Sequence, residues 1–237
     1  MRGFVTILGI ILLILFVVQG FRVYSYGKIS KRLVIITKPF SFKLENNIGN
    51  ILIIGDSLGV GVGSSVEDSL SGRLHKDFPE YNILNESISG IKIHDGLLII
   101  KNIEKDKQFN FIVIQLGAND ITRLTKKSNA LSDLRELLLI AHEHTKNVIF
   151  VTSGSVGYAP LFIEPISTFY TYRSRSFFKD FENVTKETNT KFVNLYYPKE
   201  TDPFLKNENK FYAEDKFHPS GEGYGLWYKE IKKVINE

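Results

Sequence analysis

The sequence predicts an α/β domain of three layers, in which helices cover both faces of a five-stranded parallel sheet, preceded by an apolar N-terminal segment. Two observations carry this. Short runs rich in β-branched residues occur at 51–54, 81–84, 111–116, 148–152 and 192–195, and they alternate with helical patterns, which argues for βαβ units. Leu131, Leu134, Leu137, Leu138 and Ala141 recur at helical spacing, as do Tyr224, Trp227, Ile231 and Val234 near the end of the chain. Five such strands with intervening helices suggest a flavodoxin-like α/β/α arrangement. With 237 residues, 43% apolar and 24% charged, the chain is long enough to bury one good core, so a single domain is expected over 50–237.

The chain opens on an uncharged run, 4–18, which Gly3, Gln19, Gly20 and Phe21 extend toward the ~20 residues that span a bilayer. Three readings compete for residues 1–21: a single-pass anchor, a cleaved signal peptide and a buried core helix. Val18-Gln19-Gly20 is a passable small-residue cleavage site. The positive-inside rule sets Arg2 against Arg22, Lys28, Lys31 and Arg32, and by itself that count would keep the domain in the cytoplasm. An apolar segment at the extreme N-terminus commonly acts as an export signal, so the expectation adopted is a membrane-anchored, exported domain, with cleavage and secretion as the alternative. Residues 22–49 read as a polar linker.

Charge narrows the partners. The formal charge is +4 and the pI about 9.0, but residues 1–32 hold five basic and no acidic residues, leaving 25 basic against 26 acidic in the remainder, a net of −1. No Lys/Arg run there resembles a nucleic-acid footprint, so no nucleic-acid partner is expected. Absence of cysteine excludes disulfides, thiolate metal sites and a Cys nucleophile. The aromatic residues, spread along the chain, read as packing.

In doubly wound sheets ligands bind beyond the carboxyl ends of the strands, and here those ends are small and polar. The first strand runs into Gly55-Asp56-Ser57-Leu58, the second into Asn85-Glu86-Ser87-Ile88-Ser89-Gly90, the third into Gly117-Ala118-Asn119-Asp120; Asp215-Lys216-Phe217-His218-Pro219 precedes the last helix. A serine at a sharp strand-to-helix turn is exposed near backbone N–H groups that can stabilise an oxyanion. It needs a base and an orienting group; His218 supplies the first and Asp215 the second. Asn119 and the Gly90 N–H can aim at the same developing charge. Asp56 and Asp120 read as hydrogen-bonders shaping their turns.

These residues resemble the SGNH hydrolases, the GDSL-type esterase/lipase family, whose blocks supply Ser, Gly, Asn and His. Chain order and spacing agree over residues 50–227, with block two, resting on Gly90 alone, the least specific. The resemblance implies the SGNH hydrolase fold, Ser57 as nucleophile, His218 as base, Asp215 as orienter, and an oxyanion hole of the Ser57 and Gly90 N–H groups with the Asn119 amide. It implies a serine esterase acting on lysophospholipids, acyl esters or O-acetylated carbohydrate through an acyl-enzyme, with no cofactor and no metal. An acyltransferase on the same residues and a non-catalytic, membrane-tethered binding module are the alternatives. Oligomeric state is left open.

Other features have blander readings. Gly59-Val60-Gly61-Val62-Gly63, with Glu86 after the second strand, hints at a dinucleotide site but lacks the third glycine of that pattern; a glycine-loosened loop beside the nucleophile explains it. His142-Glu143-His144 lies in a helical pattern whose i and i+2 residues do not share a face, and is read as a solvated helix end. His75 and His94 read as surface residues. The connection 153–172, rich in apolar and aromatic residues, suits a lid, an acyl pocket or a loop packed on the sheet.

Overall fold

The computed structural model describes residues 2–236; Met1 and Glu237, which end the first and last expected spans, lie outside the described residues. Strands β1 (Gly49–Gly55), β2 (Tyr81–Asn85), β3 (Phe111–Gln115), β4 (Val148–Val151) and β5 (Lys191–Val193) form one sheet in the order β2-β1-β3-β4-β5. Every pairing of these strands is parallel, and each strand lies on an expected run with its ends displaced by at most two residues. The chain steps outward from β1 to β2, then crosses back to β3 on the other side of β1. The switch point therefore lies between β1 and β3, where such sheets place their ligands.

The helices are α1 (Arg2–Ile36), α2 (Ser57–Val60), α3 (Leu70–Asp77), α4 (Ile93–Lys101) and α5 (Ala118–Thr122). They continue with α6 (Lys127–His144), α7 (Ile166–Glu187), α8 (Pro203–Lys206), α9 (Glu208–Phe211) and α10 (Gly221–Ile235). Alternation along β1 sorts them into two layers, because successive side chains leave a strand on opposite faces. Ile51 and Ile53 join Leu70, Leu74, Trp227 and Ile231 of α3 and α10. Leu52 and Ile54 join Ile93, Leu97, Leu134, Leu137 and Phe181 of α4, α6 and α7.

Helix α1 extends well past the apolar run. Residues 22–36, expected as linker, continue it; the helix ends at Ile36, just ahead of Lys38-Pro39, where proline disfavours helical geometry in its predecessor. Phe4, Leu13, Phe16 and Val17 are exposed, so α1 is not a core helix. By length and composition Gly3–Ile36 can cross a membrane, a property shared with signal sequences. Further on, Phe42 pairs antiparallel with Ile83, Ser41 Oγ accepts from the Asn85 N–H at 3.0 Å, and the Leu44 N–H donates to Asn82 Oδ1 at 2.7 Å. This segment covers the outer edge of β2, a row of backbone groups that otherwise invites pairing with another chain.

The connection expected over 153–172 is shorter than the sequence suggested. It forms a 3₁₀ turn at Val156–Tyr158, and α7 starts at Ile166 behind Pro165, its N-cap residue. On α7, Ser174, Phe177, Phe178, Phe181 and Val184 make the buried stripe typical of a surface helix.

Candidate active site

Ser57 opens α2 directly after β1. The turn is set by Asp56, whose Oδ1 accepts the Leu58 N–H at 2.9 Å as an N-cap. Glycine is required here by space and backbone, not for looseness. A Cβ on Gly59 would come within 2.4 Å of Ser87 Oγ, while Gly61 and Gly63 sit at φ +90° and +96°, which side chains rarely tolerate. The loop beside Ser57 is thus tightly fitted, and the glycine-loosened loop expected from sequence is corrected accordingly.

His218 and Asp215 share a turn ahead of α10. Asp215 Oδ1 accepts the N–H groups of Phe217 at 3.1 Å and His218 at 3.0 Å. Its Oδ2 accepts from His218 Nδ1 at 2.5 Å. With Nδ1 donating to the carboxylate, Nε2 is left as an acceptor, and the Ser57 hydroxyl, 2.8 Å away, donates to it. Both partners of the His–Asp pair are buried. Burial alone would raise the Asp215 pKa, but the bonds from His218 and Phe217 and the His218 charge outweigh it, holding the carboxyl below its ordinary range.

The remaining expected donors come from the loops after β2 and β3. Gly90 has φ +86°, and among the described residues no hydrogen bond engages its N–H or that of Ser57. Asn119 lies on the wall of the pocket that contains Ser57. Its Nδ2 donates to Ile91 O at 3.0 Å and Asp56 Oδ2 at 3.2 Å. The Ile91 carbonyl can only accept, which fixes the amide's orientation. Sequence reasoning gave this amide to the oxyanion alone; its hydrogens also tie together the loops after β1, β2 and β3.

Asp56 is fully buried, and desolvation pushes its pKa up to about 6 despite the Leu58 and Asn119 bonds and the His218 charge. Asp120 Oδ2 accepts the Ile93 N–H at 3.0 Å, fixing the start of α4. Both are buried hydrogen-bonders of their turns.

Beside Ser57 a cavity of about 50 Å³ opens. Leu58, Val156, Leu195, Phe204, Phe217 and Trp227 line it, with Ser153 and Ser155 adding hydroxyls that have no hydrogen-bond partner among the described residues. These residues come from six separate stretches of the chain, which is why only the 153–172 connection was flagged in advance.

Two histidine expectations are corrected. His144 is buried with Nδ1 2.8 Å from Lys107 O, and His142 Nε2 is 3.0 Å from Thr190 Oγ1; this helix end is packed, not solvated. His75 is half-buried, its ring 3.9 Å from that of Phe42. His94 is exposed beside Asp133. Among the described residues no cluster of three His, Asp or Glu side chains is set to hold a metal ion.

Comparison with known proteins follows the same lines. Residues 53–226 match the GDSL-like lipase/acylhydrolase family. Esterase TesA of Pseudomonas aeruginosa is 26% identical over 125 residues, 51% of this chain and 62% of that protein. Esterase EstA from Pseudoalteromonas, solved with monoethylphosphonate as inhibitor, superposes with TM-score 0.60 at 20% identity, covering 79% of this chain and 97% of that one. The acetylxylan esterase Axe2 from Geobacillus stearothermophilus gives TM-score 0.58 at 20% identity over 81% and 96%. At these identities the structures speak for the fold.

Proposed function

Because the chain belongs to the GDSL-like lipase/acylhydrolase family, we propose that it is a serine esterase working through an acyl-enzyme on Ser57. The observation that carries this reading is the continuous bonding from Ser57 Oγ to His218 Nε2 at 2.8 Å and from His218 Nδ1 to Asp215 Oδ2 at 2.5 Å. Ser57 Oγ attacks the ester carbonyl while its proton passes to His218 Nε2. Negative charge gathers on the carbonyl oxygen, which the N–H groups of Ser57 and Gly90 are free to receive. One Asn119 hydrogen, shared with its present acceptors, adds a third bond. His218 then gives the proton to the departing alcohol oxygen, and Asp215, kept anionic, stabilises the imidazolium between these steps. Water attacks the acyl-enzyme with His218 again as base, releasing the acid and restoring the Ser57 hydroxyl.

The acyl group is short. A water needs roughly 10–15 Å³ of such space, so the cavity of about 50 Å³ takes on the order of four non-hydrogen atoms, and Trp227 and Phe204 on its wall are core residues. This volume supports acetyl to butyryl esters over long fatty acyl esters as substrates. A hydrolysis screen from acetyl to dodecanoyl esters tests this: activity on the short esters, lost at least 10³-fold in Ser57→Ala, is expected. Undiminished hydrolysis by Ser57→Ala would overturn the mechanism.

A further inference from the structure

We propose that α1 stays on the protein and holds the mouth of the active site against the bilayer, so that the ester comes from an amphiphile anchored there; the catalytic half of this rests on the esterase reading above. The uninterrupted apolar run of α1 ends at Val18, the next polar side chains are Gln19 and Arg22, and Phe21, Val23 and Tyr24 extend its exposed apolar surface by about one further turn. Gln19, only 7% exposed, uses both ends of its amide on one loop. Its Nε2 donates to Leu161 O at 3.2 Å, and its Oε1 accepts the Ile163 N–H at 2.9 Å. Arg22 donates to Pro160 O and to Leu161 O. When the apolar stretch is in lipid, the loop 160–163 therefore sits at the bilayer surface.

That loop is bonded to the catalytic turn. The Leu161 N–H donates to Lys216 O at 2.9 Å, and Phe162 meets the Phe217 ring edge-on at 6.1 Å; Phe217 lines the cavity beside Ser57 and precedes His218. Ten residues beyond Arg22, about 15 Å along a helix, Arg32 pairs with Glu214, the neighbour of Asp215. Helix α1 is thus fixed at two points to the segments that carry the site. Cleavage after Gly20 would remove the buried Gln19 clamp.

A separate observation points the same way. Large apolar side chains are exposed on the loops around the site: Ile88 two residues before Gly90, Leu124 just after α5, and Phe169 in the first turn of α7. Tyr170, next to Phe169, packs on Phe162 at 4.8 Å and donates to Thr122 O at 3.1 Å, so these loops are joined. Arg123 and Lys126 flank Leu124, and an apolar tip with basic shoulders is the composition of segments that lie in a lipid interface. Since the cavity takes only a short acyl group, the substrate carries that group at headgroup level while its own tail stays in the bilayer.

The lone tryptophan, Trp227, is buried, so one added tryptophan reports its own surroundings. Full-length Phe169→Trp is reconstituted in phosphatidylethanolamine/phosphatidylglycerol vesicles with bromine on the upper acyl carbons. Its added emission is expected to fall at least twofold, while Ile48→Trp, at the opposite end of β1, keeps its emission. Equal quenching in both, or none in Phe169→Trp, would overturn the orientation. In the catalytic arm, Gln19→Ala with Arg22→Ala is expected to slow hydrolysis of a vesicle-anchored acetyl ester at least tenfold and of a water-soluble acetyl ester less than twofold. Equal loss on both esters, or loss on neither, would refute the docking role. Wild-type protein that cleaves neither ester would sink the esterase reading, and the quenching result would still decide the orientation.

Discussion

Asp56 shows how one buried carboxyl links stability and site geometry. Its folded pKa of about 6 lies above the usual 3.8, so the native state holds this proton more tightly than the unfolded chain. The sign follows: the Asp56 contribution is most favourable below pH 4 and is lost as pH rises toward 6, by up to about 3 kcal/mol for a shift of this size. Asp56→Asn keeps an acceptor for the Leu58 N–H, gives up the one for Asn119 and does not titrate, so its stability relative to wild type should rise between pH 4 and 6. Denaturant titrations at several pH values check this; a flat difference would contradict it. Asp215, with its pKa lowered, contributes in the opposite sense, stabilising above the ordinary carboxylate range and losing that effect in acid. Asn119→Ala should lower kcat about 10²–10³-fold with little change in KM, as for removal of one oxyanion donor. Because the amide also ties three loops, the melting temperature should fall as well. An unchanged kcat with a lower melting temperature would make Asn119 purely structural.

At the scale of elements, what sequence disclosed follows from how local its cause is. Strands β1, β3 and β4 were legible because a strand buried on both faces must be largely apolar, and the half-buried edge strands β2 and β5 from shorter apolar runs; the positions of Ser57, Asn119 and His218 followed because each stands directly beyond a strand or before a helix. Helix α7 was less legible. Its stripe through Phe177, Phe181 and Val184 begins inside an aromatic-rich stretch that resembles a loop, and only Pro165 marks the start. The cavity beside Ser57 was legible only at 153–172, since Leu58, Leu195, Phe204 and Trp227 meet only when segments distant in sequence pack together on one face of the sheet. Its size leads to a chain-length prediction: kcat/KM should be highest from acetyl to butyryl and fall at least tenfold by octanoyl. A maximum at octanoyl or longer would show that the cavity wall opens in use.

For the whole molecule, α1 and the domain separate cleanly in sequence but not in space. Periodicity and hydropathy mark residues 4–18, yet the bonds of Gln19 and Arg22 to 160–163 depend on contacts across some 140 residues, which no local pattern reveals. A chain beginning at Ser41 keeps the Ser41–Asn85 bond and the Phe42–Ile83 bridge while losing every exposed apolar residue of α1. It should be soluble and hydrolyse water-soluble acetyl esters at close to the full-length rate, whereas the full-length protein sediments with membranes. Aggregation or inactivity of the shortened chain would mean that α1 is needed for the fold itself.

The central claim is that Ser57 is the nucleophile activated by His218. Intact-mass and peptide analysis after exposure to a fluorophosphonate tests it most directly. The account predicts one adduct, located on Ser57, absent from Ser57→Ala and formed at least 10²-fold more slowly in His218→Ala. An adduct on another serine, or labelling of Ser57 at an unchanged rate without His218, would contradict it.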